Sequence, residues 1–131
     1  MKNITILSIF FLTFITACAV GGYKYSVVTS DSDIVKAIAS AEVINSASQL
    51  EWLKVKRAIK RNDPLKSFDY SKNSLLVVYA GGNTCKGCGF ELLNISEGDR
   101  IIAEVKEKKG ADATLYIKIP KTDKKATLIK R

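Results

Sequence analysis

Residues 74–95 read Ser-Leu-Leu-Val-Val-Tyr-Ala-Gly-Gly-Asn-Thr-Cys-Lys-Gly-Cys-Gly-Phe-Glu-Leu-Leu-Asn-Ile. The stretch opens on an unbroken apolar run, Leu75 to Ala80, rich in residues that favour extended chain, and this predicts a buried strand. It closes on a second strand candidate, Phe90–Ile95. Between them lie four glycines (Gly81, Gly82, Gly87, Gly89) and a Cys-x-x-Cys pair, Cys85 and Cys88. Glycines at such density permit positive φ and close backbone approach. An irregular loop held on a rigid scaffold is where recognition usually resides. Gly81, Gly82, Asn83, Thr84, Lys86, Gly87, Gly89 and Phe90 are therefore candidate partner-binding residues.

Downstream, Glu97-Gly98-Asp99-Arg100 reads as a hairpin turn. Ile101 to Lys106 alternates, with Ile101, Ala103 and Val105 on one face. After a turn at Lys108–Asp112, Leu115, Ile117 and Ile119 alternate with Thr114, Tyr116 and Lys118, a half-buried strand. Pro120 and the charged stretch Lys121–Lys125 break it. A last short strand, Ala126–Ile129, is expected at a sheet edge, where flanking lysines discourage intermolecular pairing.

Upstream, Asn62-Asp63-Pro64 stops a helix expected over about 48–60. Ser46…Gln49 and Ser48…Glu51 both fit a capping box. Leu50, Trp52, Leu53, Val55 and Ile59 form its apolar stripe. Lys54, Arg57 and Arg61 line up on another face, either a solvated surface or a strip that docks on an acidic partner or membrane. Glu42–Asn45 reads as a short strand. Asp33–Ala41 reads as a short helix or an irregular lead-in. One helix followed by strands with short turns predicts a single α+β domain over 33–131: a small, mostly antiparallel β domain, sandwich-like or an open sheet, with one N-terminal amphipathic helix.

The first residues read as a targeting segment. Met1-Lys2-Asn3 is a short positive region, and Ile4–Ala17 is apolar but too short for a comfortable membrane span. Ile15-Thr16-Ala17-Cys18 resembles the lipobox of bacterial lipoproteins. The resemblance implies a signal peptide over 1–17 and acylation of Cys18, and it makes residues 18–32 the lipidated cysteine and its tether. The membrane lipid holding Cys18 is then the first expected partner. The implied location is the cell envelope: the outer membrane in a diderm cell, where Ala19 follows the cysteine, or the outer face of the cell membrane in a monoderm.

The 131-residue chain carries a net charge of +8 and no histidine. The basic balance suits anionic lipid, cell-wall polymer or an acidic protein. No nucleic-acid motif is present, and nucleic acid is not an expected partner. Without histidine there is no ordinary catalytic triad, and the commonest zinc ligand is missing.

A strand followed by Cys-x-x-Cys invites a thioredoxin-like reading. A redox cysteine, however, gains its low thiol pKa at a helix N-terminus, whereas glycines flank Cys88 and a strand candidate follows. Two cysteines alone leave half of a tetrahedral zinc shell empty, with no ligand evident nearby, so neither metal nor cofactor is expected. Outside the cytoplasm Cys85 and Cys88 most simply form a disulfide that pins the loop.

From about Ser48 onward the chain resembles the C-terminal domain of the PrcB family, accessory lipoproteins of surface protease complexes. The resemblance is carried by Gln49-Leu50-Glu51-Trp52, Phe68-Asp69-Tyr70, Leu75 to Gly81, Gly87-Cys88-Gly89-Phe90 and Tyr116-Ile117-Lys118-Ile119-Pro120. The family often has Gly-Gly-Tyr where this chain has Gly87-Cys88-Gly89-Phe90. The resemblance implies a non-enzymatic, lipid-anchored protein that helps a protease or other envelope complex stay assembled. Two alternatives stand beside it: a thiol-disulfide redox protein using Cys85 and Cys88, and a protease inhibitor, since a loop of Asn, Thr and Gly before an aromatic residue is similar to the loops of chagasin-like inhibitors.

Overall fold

The computed structural model describes residues 23–32, 38–57, 65 and 67–131, with the side chains of 54–57 outside that description. Cys18, the segment 1–17, residues 33–37, the helix end expected at 58–60 and Arg61 lie outside it too, as do the side chains of Lys54 and Arg57.

Strand β3 (Asn73–Tyr79) is central to the domain. Successive side chains of a strand point to opposite faces, so an apolar run without alternation needs cover on both. It has that cover. Leu76, Val78 and Ala80 enter a core that contains residues of two sheets, among them Phe90, Ile95, Ile101, Ala103, Val105, Leu115, Ile117 and Ala126. Leu75, Val77 and Tyr79 enter a second cluster with Ile44, Leu50, Leu53, Leu65 and Tyr116. Each side chain from Leu75 to Ala80 is fully buried.

The first sheet is antiparallel in the order β1-β6-β3-β2, with β1 Ser26–Asp31, β2 Ser40–Ile44 and β6 Thr114–Pro120. The second has the order β4-β5-β7, with β4 Cys88–Glu97, β5 Ile101–Lys109 and β7 Ala126–Lys130. The described residues are mostly strand, with one helix, broadly α+β. The strand candidates after Ala80 all form, each extended by one to four residues.

Two features differ from the sequence reading. Residues 26–31, expected within a tether, form β1 and pair with β6 from Ser26↔Lys118 to Asp31↔Thr114. β7 lies at a sheet edge as expected, but it runs parallel to β5, with Ile101 opposite Ala126. Parallel neighbours need a crossover connection, and here it passes through β6 in the other sheet. Lys121–Lys125 makes that crossing, and a buried polar knot fixes it. The fully buried Ser74 hydroxyl donates to Asn45 Oδ1 and accepts from the Thr122 amide at 3.0 Å. Asn45 Nδ2 donates to the Thr122 carbonyl at 2.9 Å. Each buried polar atom of the knot thus has a partner, as burial demands.

Helix α1 (Ala47–Arg57) begins at a capping box in the earlier of the two candidate frames. The Gln49 amide donates to Ser46 Oγ at 3.1 Å, and Gln49 Oε1 reaches back to the Asn45 amide at 2.6 Å. Leu50 and Leu53 are buried beneath the helix, whereas Trp52, placed in the apolar stripe on its hydrophobicity, is 61% exposed. Leu50 and Leu53 are three apart and share a face. Trp52 is rotated about 100° from Leu53 and points outward.

Candidate functional site

The loop between β3 and β4 leaves one sheet and enters the other, and backbone chemistry holds it at several points. The Ala80 amide donates to the Ala113 carbonyl at 2.7 Å. A tight turn follows, closed in both directions: Thr84 N donates to Gly81 O at 3.0 Å, and Gly81 N to Thr84 Oγ1 at 3.1 Å. Asn83 Oδ1 accepts the Ala39 amide at 2.8 Å and ties the loop to the start of β2.

Cys85 and Cys88 stand at disulfide distance, their Cα atoms 5.3 Å apart. The Cys88 amide closes the same turn on the Cys85 carbonyl at 3.0 Å. Gly87 has φ of 75°, a conformation that side chains disfavour, and its carbonyl accepts the Gly110 amide at 3.1 Å. Gly89 is required for another reason. A Cβ there would overlap the carbonyl oxygens of Ala111 and Asp112, and the next amide, Phe90 N, donates to Asp112 O at 2.9 Å. The loop is therefore laid directly against the β5–β6 turn.

Two residues that the sequence reading did not single out complete the site. Glu107 Oε1 accepts the Cys85 amide at 3.3 Å, and its Oε2 meets Lys130 Nζ at 2.7 Å. Lys130 Nζ also reaches the Asn83 carbonyl at 3.5 Å. The Lys130 bond, then the Cys85 amide, holds the Glu107 carboxyl below its ordinary range. Glu107 was within reach of sequence reasoning: a β4–β5 hairpin turning at 97–100 brings the end of β5 beside Cys88, and Phe90 pairs with Glu107. Lys130 was not, because its place depends on the parallel β7.

The glycine-loop residues divide into two groups. Gly82, Asn83, Cys85, Lys86 and Gly87 are exposed, and Thr84 is half-buried. Gly81, Cys88, Gly89 and Phe90 are buried. The expectation that Gly81, Gly89 and Phe90 meet a partner is thus corrected. β4 already starts at Cys88, which turns Phe90 into the core, where it is 2% exposed. These residues position the loop rather than display it. Thr84 and the exposed residues form its accessible tip.

The cysteine surroundings also bear on the chemistry. No helix follows Cys88; it is the first residue of β4. Glu107, which stands beside the pair, is itself joined to Lys130. The two sulfurs and a Glu107 oxygen lie within 4.8 Å of one another, so a third potential ligand does stand near the pair. Sulfurs joined to each other are not thiolates, however, and only the reduced chain would offer the donors that a zinc site uses.

No protein-family model matches the chain, and no curated protein or solved structure shows significant similarity to it.

Proposed function

We propose that the chain is a lipid-anchored, exported protein-binding domain that recognises its partner through the tip of the 81–89 loop and catalyses no reaction. The observation that carries this reading is the combination of a displayed tip with a fixed frame. Asn83, Lys86 and their neighbours project from a turn secured by the disulfide, by Asn83 to Ala39, by Gly87 to Gly110 and by Cys85 to Glu107. A loop already ordered loses little conformational freedom on binding, which favours affinity without a large contact area. The PrcB-like motifs suggest a surface protease complex as the partner. Acylation of Cys18 supplies the anchor in this reading. The strand that begins at Cys88, in place of a helix, weighs against thiol-disulfide catalysis.

The test places a photoreactive side chain at Lys86 of the anchored chain in its native envelope, with a control at Leu93 on the exposed face of β4. One envelope protein crosslinked in near-stoichiometric yield from position 86 and absent from position 93 is the expected result. A Cys88→Ser chain that instead accumulates mixed disulfides through Cys85 with many proteins, with no crosslink at 86, would replace binding with redox exchange.

A further inference from the structure

The opposite end of the first sheet carries a second feature. There β1 begins, β3 begins and β6 ends, with Ser26 opposite Lys118 and Asn73 opposite Pro120. A cleft of about 390 Å³ opens at this end, lined by Lys24, Lys72, Lys118 and Lys121 together with Tyr25 and Pro120. All four lysines are exposed, and among the described residues no carboxylate lines the cleft. Lys121 Nζ is fixed by the Tyr70 carbonyl at 2.6 Å. Asp69, which borders the adjoining cleft, is engaged by the amide and hydroxyl of Ser71. At the loop end Lys130 and Arg131 are paired with Glu107 and Glu104, while Lys86, Lys108 and Lys109 are exposed there as well.

Chain geometry says what this end faces. Tyr23 and Tyr25 already pack against the core. Five residues separate Cys18 from Lys24, and even fully extended the six steps between them span only about 20 Å. A cluster of like charge held that close to a bilayer meets its headgroups. Each lysine near an anionic surface strengthens binding about fivefold, and the effect decays within a Debye length.

We propose that the end ringed by Lys24, Lys72, Lys118 and Lys121 is a docking face for an anionic lipid bilayer, which presents the Cys85–Cys88 loop on the side away from it. The orientation rests on the reading that Cys18 is the anchor. β3 runs from one end to the other, Asn73 to Tyr79, and its seven residues set the loop about 20 Å above the lysine end. The loop tip then faces outward, where a partner can reach it.

The full chain is reconstituted into vesicles of phosphatidylcholine alone and of phosphatidylcholine mixed with phosphatidylglycerol. Both are treated with an amine reagent that does not cross bilayers, and each lysine is read by mass spectrometry. Lys72, Lys118 and Lys121 are expected to react about fivefold more slowly on the anionic vesicles, with Lys86 and Lys109 unchanged and the protection lost at high salt. A Lys72→Gln/Lys118→Gln chain, altered only at exposed positions, is expected to lose the protection of Lys24 and Lys121. Equal rates on both vesicles, or equal protection of Lys86 and Lys109, would overturn the proposal. So would stronger protection by soluble polyphosphate than by vesicles, which would assign the face to a soluble polyanion. The mass of the fragment bearing Cys18 tests the anchor separately: an unacylated cysteine refutes the anchor while the labelling comparison still reads the lysine end.

Discussion

Glu107 of β5 and Lys130 of β7 meet at 2.7 Å, and the same carboxylate accepts the Cys85 amide through its other oxygen. The pair thus joins the last strand of the chain to the disulfide loop. Its carboxyl is held below its ordinary value of 4.5, first by Lys130 and then by the Cys85 amide. A depressed folded-state value means that the contribution is complete above about pH 4.5 and is lost as pH falls through the folded value. Hydrogen exchange at the Cys85 amide, corrected for its intrinsic pH dependence, should quicken in that acid window. A Glu107→Gln chain should exchange faster at neutral pH and show no such acid step. An unchanged acid step in the variant would remove Glu107 from this role.

Two loop glycines should respond differently to the same substitution. Gly89→Ala places a methyl group onto two backbone carbonyls that cannot move without shifting the β5–β6 turn. A loss of about 3 kcal/mol or more in urea unfolding is expected. Gly87→Ala meets open space within ordinary contact and suffers only the cost of positive φ, about 1 kcal/mol. Equal losses at the two positions would contradict the close approach at Gly89.

Removing the disulfide should leave the domain folded. The ring that it closes is short, so the loop-entropy term amounts to about 2 kcal/mol at most, and neither core cluster depends on the exposed Cys85. A Cys85→Ser/Cys88→Ser chain should keep its circular dichroism and unfold a few degrees lower, with exchange protection lost at residues 83–88 rather than in β3. Global unfolding at room temperature would show that the loop supports the core far more than its contacts suggest.

Ser74→Ala deletes the hydroxyl at the centre of the knot and takes the hydrogen-bond partner from the Thr122 amide and from Asn45 Oδ1. Leaving buried polar groups unpaired costs about 1–3 kcal/mol. The loss should appear with faster exchange in β7, because the knot fixes the crossover that delivers that strand. Ser74→Thr, which keeps the hydroxyl but adds a methyl in a filled site, separates lost bonding from lost volume: stability should be recovered in part only.

The parts of this fold that could be read from the chain are those where local pattern and burial agree. Leu75–Ala80 announced a strand because a doubly covered strand has no polar face to show. The cap at Ser46 was visible because its partners lie within four residues. What escaped reading depends on distant partners. β1 offers Val27 and Val28, yet both are exposed, and its strand character comes from pairing with β6 rather than from its own composition. The parallel course of β7 follows from contacts between Ser74, Asn45 and Thr122, and these lie 29 and 48 residues from Ser74. At the loop, the glycines and cysteines were legible as a special turn. Which of them face water was not, because a strand start two residues before Phe90 decides it.

The pairing of residues near the start of the chain with residues near its end has a further consequence for how the protein is made. Among the described residues β1 pairs only with β6, and β5 receives its second neighbour only from β7, where Arg131 N donates to Val105 O at 2.9 Å. A chain without residues 102–131 has neither pairing to make. Such high contact order slows folding. Until β7 arrives, the ladder between Ile101 and Lys130 cannot close, and β5 keeps an edge open to other strands.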